Sequence, residues 1–131
     1  MKLPDNLPLD ELTPLELFTR ISICLLLADG RMDFEERETW AQSLNELFPD
    51  HNPDHAFDIL NNSTLFLNEL SASERLKHAR DCARYLGRFY TGKECLANIY
   101  PQLEAMAESD GVVMSSENDF LNHMKRVFEQ L

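Results

Sequence analysis

The sequence lacks the long apolar run and the surplus of basic residues that mark membrane and nucleic-acid-binding proteins. Its longest apolar stretch, residues 23–28, is far shorter than the roughly 20 residues that a membrane-spanning helix requires. Only 12 of its 131 residues are Lys or Arg, against 23 Asp or Glu. The formal net charge of −11 opposes binding to nucleic acid or to anionic lipid. We therefore expect no nucleic-acid partner and no direct membrane insertion, and cations or basic proteins are the more favourable partners.

The cysteines are few and odd in number, and they form no Cys-x-x-Cys pair. No apolar leader follows Met1, so we expect reduced thiols and a cytoplasmic location. Cys24 lies in an apolar run, and Cys82 and Cys95 lie on or near helix faces. The sequence contains neither a nucleophile elbow nor a phosphate-binding loop. We interpret the thiols as packing residues and expect that the protein is not an enzyme.

The sequence does contain helical periodicity, and it shows no convincing strand alternation. Hydrophobic residues make up 44% of the chain and charged residues 27%, which is typical of a folded globular protein. A chain of this length suits a single core. Residues 1–12, with Pro4 and Pro8, are predicted to form an extended arm. Residues 13–131 are predicted to form one all-α domain, a compact bundle of about seven helices with an internally duplicated helical hairpin.

Capping patterns and apolar stripes predict where several helices begin and end. The first helix should start at the Thr13 cap and run to about residue 28, and its second half has almost no polar face, so it should be central and surrounded. The Asn and Ser residues at positions 61–63 are expected to interrupt the helix that starts at Pro53. One kinked helix is expected across Pro101, because the apolar stripe keeps its phase there.

A nine-residue pattern occurs twice, at residues 28–36 and 109–117. Both copies read small residue, Asp, Gly, any residue, apolar residue, three residues, Glu. Each copy follows one helical apolar run and precedes another, so each is predicted to connect two helices. Aligning Asp29 with Asp110 also aligns the surrounding apolar positions, which indicates one helical hairpin used twice.

An all-helical chain with two such turns resembles the TerB-like tellurite-resistance family. The resemblance covers roughly residues 15–48 and 95–131. It implies an internally duplicated all-α fold, acidic side chains that bind a divalent cation, and association with stress-response modules, including membrane-linked complexes. The residues that match the motif are Asp29, Gly30, Glu36, Asp110, Gly111 and Glu117. Asp33 also fits, but Met114 stands at the equivalent place, so the second site is expected to be the weaker one, with Ser115 as helix cap.

The predicted metal ligands are carboxylates that the two hairpins would bring into one cluster: Asp29, Asp33, Glu36, Asp110 and Glu117. Such ligands favour Ca²⁺, Mg²⁺ or Mn²⁺ over Zn²⁺. Asp29 and Asp110 are the positions that helix formation explains least, because the helix dipole disfavours an anion at a helix C-terminus by roughly 0.3–1 kcal/mol. The alternative is that these turns only stop and start helices, with glycine at the end of one and a cap at the start of the next.

A row of arginines, Arg80, Arg84 and Arg88, is predicted on one face of a helix. It could dock an acidic protein partner, which would make the domain a structural adaptor that acts without metal. The alternative is a solvated face that pairs with the protein's own carboxylates. A metal-dependent hydrolase ranks last, because no general base or nucleophile stands out.

The histidines give little indication of a metal site. His51 and His55 suggest zinc at first, but Pro53 places His51 outside the helix, so the two rings would not align. His78 is expected at the surface or paired with Glu74.

Overall fold

The computed structural model describes residues 9–29, 34–108 and 115–131, except for the side chains of residues 29, 34 and 35. Every regular element within these ranges is helical, which confirms the all-α prediction. The α-helices are α1 (Pro14–Leu26), α2 (Phe34–Leu47), α3 (Pro53–Asn68), α4 (Ala72–Leu86), α5 (Gly92–Glu94), α6 (Tyr100–Ala107) and α7 (Ser115–Glu129). Short 3-10 helices span Leu9–Glu11 and Leu27–Asp29, and a π-helix, Cys95–Ile99, joins α5 to α6.

Local capping starts α1, α4 and α5. Thr13, Ser71 and Thr91 each accept a hydrogen bond from the backbone N–H three residues later, and the glutamate at that position accepts one in return. These reciprocal bonds satisfy two of the N–H groups that a helix start leaves without partners. Asn52 caps α3 by accepting from the N–H groups of residues 54 and 55.

Helix α1 is central, as predicted. Residues 17–26 are all buried, and α1 contacts α2, α3, α4, α6 and α7. Each fully buried Leu or Ile side chain stabilises the fold by roughly 1.5–3 kcal/mol. The polar side chains on α1 find partners inside the core: Ser22 donates to the Phe18 carbonyl (2.8 Å), and Trp40 Nε1 donates to Thr19 Oγ1 (3.3 Å).

The two hairpins pack reciprocally. Helix α2, which follows the first turn, packs against α6, which precedes the second turn, and α7 packs in the same way against α1. Near the end of α2, Ser43 donates to Gln102 Oε1 (2.9 Å), and Gln102 also donates to Glu46. The second helix of each hairpin therefore covers the first helix of the other, so the repeat in the sequence is also a repeat in the packing.

Two sequence expectations need correction. Helix α3 runs without a break from Pro53 to Asn68, so the predicted interruption at residues 61–63 is wrong. Residues 61 and 62 lie on its exposed face and Ser63 is 2% exposed, which shows that tertiary packing outweighs their weak helix propensity. Residues 9–11 form a 3-10 helix that contacts α4 rather than an extended arm. The arm's residues 1–8 lie outside the described residues.

The helix across Pro101 is continuous, as predicted. Tyr100 donates its N–H to the carbonyl of Cys95, five residues earlier. This wider π turn accommodates Pro101, which has no N–H and whose ring would clash with the carbonyl four residues before it in a regular α-helix. Among the described residues, no helix is both long and apolar enough to cross a membrane.

Candidate metal site at the repeated turns

Two of the five predicted ligands are fully described, and both are buried. Glu36 and Glu117 are each 1% exposed, and the Oε2 atom of each is shielded from solvent. The backbone of Asp29 ends the 3-10 helix after α1, while its side chain is not described. Asp33 and Asp110 lie outside the described residues. The predicted ligand set therefore stays a prediction, with two of its members now known to be buried carboxylates.

Helix position alone does not explain why these two glutamates are buried. Five helices carry a glutamate as their third residue: Glu16, Glu36, Glu74, Glu94 and Glu117. At residues 16, 74 and 94 the glutamate completes a reciprocal cap, and its side chain is exposed or half-buried. The two glutamates of the repeated turns are the buried ones. Burying a carboxylate carries a penalty of several kcal/mol, and an ordinary helix cap does not require it.

The 3-10 helix that leads into the first turn lies beside the last helix. The 3-10 helix Leu27–Asp29 contacts α7, and Ala28 and Ser116 line the same cavity, which has a volume of about 310 Å³. Glu117 is the next residue after Ser116. The helix that carries Glu117 therefore packs against the residues that lead into the first turn.

The described residues alone do not complete a metal site. Across residues 9–29, 34–108 and 115–131, no three His, Cys, Asp or Glu side chains converge on one point. Three of the five predicted ligands contribute no described side chain, so a site would need them. Ser115, expected as a cap, is instead the first residue of α7, which gives Glu117 the same third position in its helix that Glu36 has in α2.

The predicted row of arginines on one helix is wrong for Arg88, because α4 ends at Leu86 and Arg88 lies two residues beyond it. Arg80, Arg84 and Arg88 are all exposed. Arg84 pairs with Asp81 (2.9 Å), and the Arg88 guanidinium lies 5.6 Å from the centre of the Tyr85 ring. The row is therefore accessible, and two of its three members already make local contacts.

Sequence reasoning missed a buried cation in the core. Arg20 on α1 is 2% exposed. Its Nη1 donates to His78 Nε2 on α4 (3.2 Å), and its guanidinium lies 5.4 Å from the centre of the Phe66 ring on α3. The sequence did contain a signal for this burial. Helix α1 is predicted to be surrounded by other helices, so the Arg20 side chain that it carries must be buried as well. His78 accordingly pairs with Arg20 rather than with Glu74, whose carboxylate caps α4.

The environment of His78 favours its neutral form. Burial, together with the charge of Arg20, lowers the pKa of His78 from 6.5 to about 4. The hydrogen bond has the same effect, because arginine can only donate and the ring nitrogen that accepts must be unprotonated. His78 therefore acts as a neutral acceptor for a buried guanidinium.

The three thiols are buried, as expected for packing residues. Burial raises the pKa of Cys82 to about 12 and that of Cys95 to about 11. It also raises the pKa of Cys24, with a further contribution from nearby Cys82. Because the thiolate is the nucleophile and metal ligand, these shifts make all three poor reactive groups.

The remaining histidine prediction concerns His51. It precedes the Asn52 cap of α3, and its Nδ1 lies 2.7 Å from the Phe48 carbonyl oxygen. His55 is exposed on the first turn of α3, so His51 and His55 do not share a helix.

A scan of the chain against protein-family models and searches of curated proteins and of solved structures gave no match. The TerB-like resemblance therefore rests on the two turns and their helical context.

Proposed function

We propose that this domain is a non-catalytic binding module of TerB-like type that holds a divalent cation between its two repeated turns. The observation that carries the proposal is the burial of Glu36 and Glu117, in contrast to the three glutamates at the same helical position elsewhere in the chain. A bound cation offsets the cost of burying carboxylates. The two buried glutamates stand at equivalent positions in the two halves of the repeat, which supports a shared role.

The chemistry of the donors selects the ion. Carboxylate oxygens are hard ligands, and Ca²⁺, Mg²⁺ and Mn²⁺ prefer them. Glu36 and Glu117 would supply one carboxylate from each hairpin, with Asp29, Asp33 and Asp110 as the other proposed ligands. An ion held in this way would join the start of α2 to the start of α7. The module would then be stabilised by the ion and could present a cation-dependent surface to a stress-response partner.

A thermal-shift experiment with matched variants tests this function. An ion present at ten times its dissociation constant stabilises the folded state by about 1.4 kcal/mol. For a domain of this size that corresponds to about 5 °C in melting temperature. For a dissociation constant of about 1 mM, we expect this rise in melting temperature from at least one of Ca²⁺, Mg²⁺ and Mn²⁺ at about 10 mM. The substitutions Glu36→Gln, Glu117→Gln, Asp29→Ala and Asp110→Ala should each reduce the rise.

Glu74→Gln is the matched control, because it makes the same change at the same helix position where the carboxylate is exposed. It should keep the full response to the ion. Equal responses from Glu36→Gln and Glu74→Gln would show that any bound ion uses the general acidic surface.

The exposed arginine row supports a second function, docking of an acidic partner protein through α4 without metal. Arg80 is exposed, and the side chain of Arg84 is 53% exposed even though it pairs with Asp81. Reversing Arg84 and Arg88 to Glu should leave the domain folded and abolish binding of such a partner at low salt. Binding that survives the reversal would exclude this surface.

A further inference from the structure

A cleft of about 340 Å³ opens between the end of α2, the residues before α5 and the π-helix. Its apolar walls include Leu47, Phe48, Tyr90 and Ile99, and its polar groups include Glu46, Glu94 and Gln102. These residues come from the end of α2 and the residue after it, from Tyr90 before α5, and from residues 94–102 of the helix that follows. None of the five predicted metal ligands lines the cleft, so the cleft is separate from the proposed metal site.

The charged groups that line the cleft are all acidic: none of its lining residues is Lys, Arg or His. Both carboxylates also accept a hydrogen bond from the protein. Glu94 Oε1 accepts from the Thr91 N–H (2.9 Å), and Glu46 Oε2 accepts from Gln102 Nε2. Each carboxylate therefore has one oxygen in a hydrogen bond within the protein.

We propose that this cleft binds a basic side chain, lysine or arginine, from a partner protein. The aliphatic part of such a side chain would lie against Phe48 and Tyr90, and its charged end would lie between Glu46 and Glu94. The net charge of −11 would steer a basic segment towards the domain. This surface is distinct from the arginine row on α4, which would recognise the opposite charge.

The probe is the peptide acetyl-Gly-Arg-Gly-amide, titrated into ¹⁵N-labelled protein at low salt. Its counterpart with citrulline in place of arginine has nearly the same shape without the charge. We expect the arginine peptide to shift the amide resonances of residues 46–48, 90, 97–100 and 102 and the citrulline peptide to leave them unchanged. Equal shifts from both peptides, or shifts spread evenly over the acidic surface, would overturn the proposal.

Variants locate the binding site. Exposed ion pairs each contribute a few tenths to one kcal/mol, so Glu46→Gln with Glu94→Gln should raise the dissociation constant about fivefold. Glutamine still serves at the third position of a reciprocal cap, so α5 should keep its start. Glu38→Gln, an exposed change elsewhere on α2, should bind like the wild type. An unchanged affinity in the double variant would overturn the proposal, and so would spermidine binding more tightly than the peptide.

Discussion

The buried pair of Arg20 and His78 predicts how the stability of this domain depends on pH. In an unfolded chain the pKa of histidine is near 6.5, whereas in the folded protein the pKa of His78 is about 4. Between these values only the unfolded chain binds the proton. The free energy of unfolding should therefore include the full contribution of His78 above about pH 6.5 and lose it as the pH falls towards 4.

The size of this contribution follows from the difference between the two pKa values. A displacement from 6.5 to about 4 corresponds to about 3 kcal/mol, at about 1.4 kcal/mol for each pKa unit. Part of the ring is reached by solvent, so screening by water reduces the expected loss to about 2 kcal/mol. For a domain of this size that is a fall of about 7 °C in melting temperature.

Comparison with His78→Gln separates this effect from the titration of the many surface carboxylates. The glutamine side-chain oxygen can accept the hydrogen bond from Arg20 and does not titrate. Urea unfolding of both proteins at pH 7, 6, 5 and 4.5 should show a steeper loss of stability in the wild type, by about 2 kcal/mol over the series. Parallel curves for the two proteins would refute the assignment of His78 as a buried neutral acceptor.

Two further predictions concern close packing and thiol reactivity. A Cβ at Gly92 would lie 2.5 Å from the Phe128 carbonyl oxygen, whereas a Cβ at Gly87 would mainly meet the flexible end of Leu131 at 2.9 Å. In urea unfolding, Gly92→Ala should therefore cost about 2 kcal/mol and Gly87→Ala less than about 1 kcal/mol, and equal costs would contradict this packing. The three buried cysteines should react slowly with a disulfide reagent at pH 8 in the native protein and quickly in urea, and fast labelling of the native protein would show that they are accessible.

Local sequence predicts the helix starts well, because a cap is made by residues only three positions apart. Thr13 begins α1 where its capping pattern predicts, and the same Ser/Thr-x-x-Glu pattern stands at the starts of α4 and α5. The repeated turns and the apolar stripes also predict an internal duplication, which appears in the reciprocal packing of α2 on α6 and α7 on α1. These features depend on short-range bonds and helical period, both of which can be read from one sequence.

Features that depend on distant parts of the chain were harder to predict. Arg20 and His78 are 58 residues apart, and no local pattern joins them. The continuity of α3 depends on the packing of its buried face, Ala56, Leu60, Ser63 and Leu67, which outweighs the low helix propensity of residues 61–63. The burial of Glu36 and Glu117 likewise depends on how the two hairpins pack, so sequence alone could select these glutamates but could not show that they are shielded from water.

The most direct test of the proposed cation site is calorimetric titration of the wild-type protein with Mn²⁺ and Ca²⁺, beside a Glu36→Gln and Glu117→Gln double variant. We predict saturable binding to the wild type with a dissociation constant of about 1 mM or tighter, and its loss in the double variant. Absence of binding at millimolar concentrations of these ions and of Mg²⁺, or unchanged binding in the double variant, would contradict the proposal that the repeated turns hold a divalent cation.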